Sequence, residues 1–205
     1  YVKGKKDNNR IAIIIGVENY ENTVKALYAN NDAQIFNNFA IRSLGISKSN
    51  IKILIEDKAR RIDTIKTLKK WLPRKIVPNQ SELFVFFSGH GYPSQSDGLH
   101  LIPQDGDPTL LEETSLSHKS IISLIQKTKP KSVTMFVDAC YSGQSNTGEV
   151  LVAGLKPLAL LNEEDEIPSN FNFFSSSANN QTSGTISEAK HGIFSYYLMK
   201  GLSKG

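Results

Sequence analysis

Two short segments of the sequence carry side chains that could do nucleophilic catalysis, and each directly follows an apolar run. His90 lies in the motif SGHG, which comes after the run at residues 83–87. Cys140 lies in the motif DACYSG, which comes after the run at residues 133–137. A nearby imidazole can take the proton of a thiol and later protonate a leaving amine. The pair therefore predicts Cys140 as a nucleophile and His90 as its catalytic partner.

The elements that must position these two residues can be predicted from the hydrophobic pattern. Short apolar runs rich in Ile, Val and Phe predict buried strands, and segments of helical periodicity alternate with them. This alternation predicts an α/β fold with a mainly parallel sheet and helices on both faces. We expect about six strands, at residues 11–17, 51–55, 83–87, 99–102, 133–137 and 171–175, and helices at residues 32–44, 63–72, 117–125 and 192–202.

The carboxyl ends of parallel strands are where open sheets of this kind bind their ligands. His90 and Cys140 both follow such ends, so the two side chains face each other across a cleft if their strands are neighbours. Backbone N–H groups beside them could then hold the oxyanion of an acyl-transfer reaction. Gly91 is the expected donor, because it has no side chain to block access.

Other chemistries for these residues are disfavoured by what the sequence lacks. A phosphatase-type cysteine needs an Arg shortly after it to hold phosphate, and the matching position is Asn146. A zinc site is not indicated, because His100, His118 and His191 show no ligand spacing with the single cysteine, and we interpret them as surface or core residues. A nucleotide site is not indicated either, because the turn at residues 16–19 has one glycine, not a glycine-rich phosphate loop.

Composition limits the class of protein further. The 205 residues, 39% of them hydrophobic, can form one core, so we predict a single domain. The net charge of +4 comes largely from the chain ends, and no basic stripe alternates with aromatics, so we expect no nucleic-acid partner. One cysteine excludes an intrachain disulfide, and no apolar run approaches the ~20 residues of a membrane span, so we expect a cytoplasmic domain with no membrane contact. The chain begins at Tyr1 without Met, which predicts a domain excised from a longer protein with regulatory flanking domains or partner proteins.

The two motifs together resemble the paired signatures of caspase-like cysteine peptidases of the C14 type, most closely those of metacaspases and bacterial orthocaspases. The similarity extends over nearly the whole chain, through IIIGV with Tyr20, NDA, LIP, FFSSS and GIFS. It implies a caspase–hemoglobinase-like three-layer fold. It also implies that the single domain 1–205 is divided into a large-subunit-like part (10–142), a linker loop (143–170) and a small-subunit-like part (171–205).

The resemblance also implies a specificity. Two residues before the nucleophile, caspases carry Gln and metacaspases carry Asp, and this chain has Asp138. Metacaspases line their substrate pocket with this Asp, a second Asp and a Ser, which match Asp32 and Ser88. Carboxylates at a pocket floor select basic side chains, so we expect cleavage after Arg or Lys. Two alternatives for function remain, namely another specificity (Asp or Asn) and a non-catalytic scaffold, and Asp32 could instead be the N-cap of its helix.

The linker and the carboxylates outside the motifs give two further expectations. Lys156 is the linker's one basic residue, and Pro157 directly after it obstructs cleavage, so an Arg/Lys-specific enzyme would act as an uncut chain. The chemistry requires no cofactor, and we assign no metal ligand. Many metacaspases need Ca²⁺, but residues such as Asp105 and Asp107 form no spacing that indicates a Ca²⁺ site. The expected partner is a protein or peptide substrate.

Overall fold

A computed structural model describes residues 3–94, 98–139, 167–176 and 185–202. Cys140 and the linker up to residue 166 lie outside the described residues. In chain order the strands are β1 (Arg10–Gly16), β2 (Ile51–Ile55), β3 (Glu82–Ser88), β4 (Gly91–Ser94), β5 (Gly98–Leu101), β6 (Leu116–Ser117), β7 (Ser132–Asp138), β8 (Phe171–Ser175), β9 (Thr185–Ile186) and β10 (His191–Gly192).

The central sheet is parallel throughout, in the order β2-β1-β3-β7-β8. Its inner strands are almost continuously buried, and β1 exposes little beyond its first residue. This is the pattern of strands covered on both faces, and it explains why they appear in the sequence as unbroken apolar runs. The sequence-based prediction of a mainly parallel α/β fold is confirmed.

Helices cover both faces of this sheet, as expected. They are α1 (Ala29–Arg42), α2 (Arg61–Lys66), α3 (Leu111–Thr114), α4 (His118–Gln126) and α5 (Ile193–Leu202). A π-helical turn (Thr67–Trp71) and a 3-10 turn (Leu72–Arg74) extend α2, and further 3-10 turns lie at Lys48–Asn50 and Glu56–Lys58. One apolar cluster joins the sheet to α1 and α5 through Phe36 and Met199, and the other joins it to α4 and the extension of α2 through Ile125 and Leu68. The result is three layers. No helix in the described ranges has the length and apolar character needed to cross a membrane.

One strand assignment needs correction. The strand predicted at residues 99–102 forms as β5, but it pairs antiparallel with β4 and β6 in a separate sheet. The central sheet therefore has five strands among the described residues, where about six were expected. The connection from Ser88 to Gly98 is shorter than the dozen or more residues that a parallel crossover needs. The chain after β3 therefore turns back on itself.

Candidate active site

The ends of β3 and β7 lie side by side in the middle of the sheet. The two strands pair in register, so that Ser88, the last residue of β3, is opposite Asp138, the last residue of β7. The contact continues beyond the strands, because the Gly89 N–H donates to the Asp138 carbonyl at 3.1 Å. Ala139 exchanges hydrogen bonds with the Ser176 hydroxyl, at 3.1 Å through its N–H and 3.0 Å through its carbonyl. The two catalytic motifs predicted from the sequence thus begin at adjacent positions.

His90 is held with one ring nitrogen bonded and the other available. The side chain is completely buried, and its Nε2 lies 2.9 Å from the Val24 carbonyl. A carbonyl only accepts, so Nε2 carries the hydrogen and the neutral ring bears its lone pair on Nδ1. No described residue makes a hydrogen bond to Nδ1. Burial lowers the pKa of His90 to about 4, so Nδ1 is unprotonated at neutral pH and can act as a base.

Tyr20 fixes both the ring and the backbone of His90. Its ring stacks on the imidazole, with centroids 4.7 Å apart and planes 28° apart. Its hydroxyl accepts from the His90 N–H at 2.6 Å and donates to the Ile102 carbonyl at 3.3 Å. A Cβ at Gly89 would lie 2.6 Å from this hydroxyl, so the glycine is what allows the approach. Burial raises the pKa of Tyr20, which therefore stays a neutral phenol.

Gly91, the predicted oxyanion donor, is tightly placed against the end of β7. The Ile102 N–H donates to the His90 carbonyl at 2.9 Å, so the next pair along the ladder, Gly91 and Leu101, is a non-hydrogen-bonded one. The Gly91 N–H therefore points away from β5. A Cβ on Gly91 would lie 3.2 Å from the Ala139 Cβ, closer than an ordinary side-chain contact. A side chain at position 91 would therefore require Ala139, the residue before Cys140, to give way by a few tenths of an ångström.

The three residues predicted to line a substrate pocket are brought together. Asp32 and Asp138 are both buried, and Ser88 donates from its hydroxyl to Asp32 Oδ2 at 3.3 Å. The N-cap alternative for Asp32 is wrong, because α1 begins at Ala29 after Tyr28 and the Asp32 side chain points to β3 and β10. The helix that contains Asp32 begins about one turn earlier in the chain than the apolar pattern indicates.

The two carboxylates are close enough to raise each other's energy when both are ionised. Burial first, and the neighbouring Asp138 charge second, raise the pKa of Asp32. Burial also raises the pKa of Asp138, while hydrogen bonds from the N–H and hydroxyl of Ser195 oppose the shift. A cation close to both groups would favour their ionised forms.

Several residues of this site were not found from the sequence. Val24 contributes through its carbonyl, which leaves no mark in a sequence. Ser195 donates to Asp138 Oδ2 from its hydroxyl at 2.6 Å, and Gly192 donates its N–H to Asp32 Oδ2 at 3.2 Å. His191, interpreted above as a surface or core residue, lies with Nδ1 2.7 Å from Asp32 Oδ1. In the sequence, His191, Gly192 and Ser195 could have been found only through the motif GIFS and the histidine directly before it.

The other two histidines lie elsewhere, and neither belongs to a metal centre formed by the described residues. His100 Nδ1 is 2.6 Å from the Ser115 hydroxyl, and His118 Nδ1 is 3.1 Å from the Leu99 carbonyl. Asp105 accepts from the Arg61 N–H at 2.8 Å. Among the described residues, no group of three or more His, Cys, Asp and Glu side chains is arranged to hold a metal ion.

Comparison with known proteins identifies the family. The model of the caspase domain family, peptidase C14, matches residues 9–205. The chain belongs to this family. Metacaspase-1 of Eremothecium gossypii is 31% identical over 150 residues, which is 67% of this chain and 32% of that protein. The caspase domain described here thus spans about a third of the length of this curated relative.

Two solved structures share the caspase-domain fold. A protein from Geobacter sulfurreducens superposes with a TM-score of 0.66 at 16% identity, over 96% of this chain and 82% of its own. Caspase-1 from Spodoptera frugiperda superposes with a TM-score of 0.61 at 15% identity, over all of this chain and 71% of its own. At these identities the likeness concerns the fold, and it agrees with the three layers described above.

Proposed function

We propose that this caspase-family domain is a cysteine endopeptidase that cleaves after Arg or Lys, with Cys140 as nucleophile and His90 as its base and acid. The observation that carries the proposal is the state of His90, which is neutral, oriented by the Val24 carbonyl and unbonded at Nδ1 among the described residues. Cys140 lies two residues past Asp138, and His90 lies two residues past Ser88. Because Ser88 and Asp138 are paired in register, these equal offsets support a thiol facing Nδ1.

In the proposed mechanism the thiol gives its proton to Nδ1 as its sulfur attacks the scissile carbonyl carbon. The N–H groups of Gly91 and Cys140 hold the resulting oxyanion. The imidazolium then donates its proton to the leaving nitrogen, the C–N bond breaks, and a thioester remains. Water adds to the thioester with His90 again as base, the C–S bond breaks, and the thiol is restored. The mechanism needs no metal or cofactor.

The surroundings of His90 act on this proton transfer in two opposing ways. Burial disfavours the imidazolium, so the resting ring is unprotonated at Nδ1 and able to accept the thiol proton, although it is a weaker base than a free imidazole. Once the proton arrives, the Val24 carbonyl stabilises the charge through Nε2–H, and the Tyr20 ring lies against the cation. The carbonyl thus takes the orienting part that a carboxylate has in other triads.

The specificity is supported by the buried pair Asp32 and Asp138 with the Ser88 hydroxyl. An Arg or Lys side chain supplies a positive charge that offsets the repulsion between the two neighbouring carboxylates, whereas an Asp side chain would add a third negative charge. The same carboxylates also accept hydrogen bonds from Gly192 in β10 and Ser195 in the first turn of α5, so replacing them would cost stability as well as binding. The test of specificity is therefore best done on the unaltered protein.

Fluorogenic peptides that differ only in the residue before the scissile bond test this proposal. We expect release after Arg and Lys, and little after Asp or Asn. Faster release after Asp than after Arg would refute the specificity. The Cys140→Ala variant is expected to fold and to be inactive, and cleavage retained by this variant would refute the role of the thiol.

A further inference from the structure

Asp32 is held by three donors from two elements, β10 and β3. Its Oδ1 accepts a hydrogen bond from Nδ1 of the His191 imidazole at 2.7 Å. Its Oδ2 receives the Gly192 N–H at 3.2 Å from β10 and the Ser88 hydroxyl at 3.3 Å from β3. The carboxylate is 1% exposed, whereas 17% of the His191 side chain is accessible. The imidazole therefore forms part of the wall between the buried acid and the outside.

The backbone before and after His191 is shaped to bring the ring there. Lys190 has a positive φ of 55°, which turns the chain into β10, and its carbonyl accepts from the Asn31 side chain of α1 at 3.2 Å. A Cβ on Gly192 would lie 2.5 Å from Asp138 Oδ2 and 3.1 Å from Asp32 Oδ2. The bare backbone of Gly192 thus lies against both carboxylates, and His191 is set on Asp32 from the adjacent position.

A hydrogen bond of this kind fixes the orientation of a carboxylate in addition to affecting its charge. Guanidinium is a planar fork that binds a carboxylate through two parallel hydrogen bonds, so it requires a fixed carboxylate plane. An ammonium group is a compact charge with rotatable donors, and it tolerates several orientations. Holding the plane of Asp32 therefore helps a substrate with Arg more than one with Lys.

We propose that His191 is a positioning residue of the substrate pocket, which favours Arg over Lys by fixing the carboxylate plane of Asp32 from Nδ1. This inference rests on the proposed cleavage after basic residues. It assigns His191 no part in the reaction at the thiol. Its effect is therefore on substrate affinity, and it requires only a donor at Nδ1.

Two substitutions separate the donor from the ring. His191→Phe keeps an aromatic ring of similar size and removes the donor, whereas His191→Asn puts an amide N–H near the place of Nδ1. A hydrogen bond to a charged group contributes more than a neutral one, so we expect His191→Phe to raise KM for an Arg peptide about tenfold. KM for the matched Lys peptide should rise about twofold, and kcat should stay within about twofold for both. His191→Asn should restore the Arg-to-Lys preference.

Two further variants control for folding. His191→Gln carries the same amide one methylene farther out, so it should behave like His191→Phe and can replace it if that variant unfolds. His118→Phe makes the same change at a histidine outside the proposed pocket, where it removes the contact of the imidazole with the Leu99 carbonyl. His118 lies at the start of α4, on the opposite face of the sheet from α1, so this variant should leave the preference unchanged. Thermal unfolding of each variant shows which are folded.

The possible results are distinct. An unchanged Arg-to-Lys preference in both His191→Phe and His191→Gln overturns the inference. An equal rise of KM for both peptides that His191→Asn does not reverse also overturns it, because the ring would then act by its charge. A loss of kcat at unchanged KM overturns it as well. No cleavage after Arg or Lys by the unaltered chain would instead overturn the proposed function and, with it, this inference.

Discussion

The hydroxyl of Tyr20 offers a sharp test of how His90 is positioned. In Tyr20→Phe the ring that stacks on the imidazole is kept, but the His90 N–H loses the acceptor that lies 2.6 Å away. A buried donor left without a partner costs about 1–3 kcal/mol. The peptide of His90 can recover part of this only by moving, and the imidazole moves with it. Because a misplacement of about 1 Å can cost ~100-fold in rate, we expect kcat to fall 10- to 100-fold.

The expected loss is confined to kcat, because Tyr20 contacts neither carboxylate through any of its described hydrogen bonds. The measurement is steady-state cleavage of an Arg peptide together with denaturant unfolding of each variant. Tyr92→Phe is the matched control. It removes another buried hydroxyl, 3.4 Å from the His100 ring, on a side chain that projects from β4 to the face opposite to that of Gly91. If Tyr20→Phe and Tyr92→Phe lose similar stability and both keep kcat within about twofold, the positioning argument is refuted.

Three other predictions follow from the same site. Unfolded His90 takes up a proton near its ordinary pKa of 6.5 but folded His90 only near about 4, so wild type should lose roughly 3 kcal/mol of stability relative to His90→Asn as pH falls through that window. Asp32 and Asp138, whose pKa values are raised, change the pH dependence of stability in the opposite direction, but they do so equally in wild type and His90→Asn. If denaturant unfolding gives parallel curves of stability against pH for the two proteins, the burial of His90 is contradicted. Gly91→Ala should lower kcat more than about tenfold, because the added methyl group presses on Ala139. Gly201→Ala is the control, because nothing lies within 4 Å of its added Cβ, and it should leave kcat unchanged. Equal kcat values for the two variants would exclude a tight fit at Gly91. Active protein should stay uncut in the linker, and a cut found there by mass spectrometry would contradict this.

The central strands were predictable because they are covered on both faces. The runs at residues 83–87 and 133–137 lie one residue inside the observed bounds Glu82–Ser88 and Ser132–Asp138. The short strand β4, by contrast, was not predicted. It has four residues, includes Pro93 and exists only because β5 turns back beside it. Pairing of this kind depends on the length of a connection, which an apolar pattern does not encode.

The strand ends that precede the two proposed catalytic motifs were predictable for a related reason. His90 and Cys140 each follow an apolar run closely, so sequence adjacency alone assigns them to strand ends. Asp32 needed the family resemblance, because in the sequence it looks like the first residue of a helix. The Val24 carbonyl and the hydroxyl of Tyr20 act on His90 from 66 and 70 residues away in the sequence, respectively, and such contacts become visible only when the sheet is assembled.

The proposed pocket also joins parts of the chain that are far apart in sequence. Asp138 comes from the end of β7, but its Oδ2 accepts from the N–H of Ser195 in the first turn of α5. A helix N-terminus carries a partial positive charge, so it offsets part of the cost of burying these carboxylates. Asp32 is likewise held by His191 and Gly192, just before α5.

The pocket is therefore complete only while the segment from His191 to Ser195 is docked against α1 and β7. A basic side chain that binds between the carboxylates binds only this docked arrangement, and by mass action it stabilises the packing of α5. Under the proposed function, recognition of the substrate and the attachment of the C-terminal helix are two aspects of one equilibrium. The proposed specificity then depends on the docked segment from His191 to Ser195, as well as on the two motifs to which the proposed function assigns the chemistry.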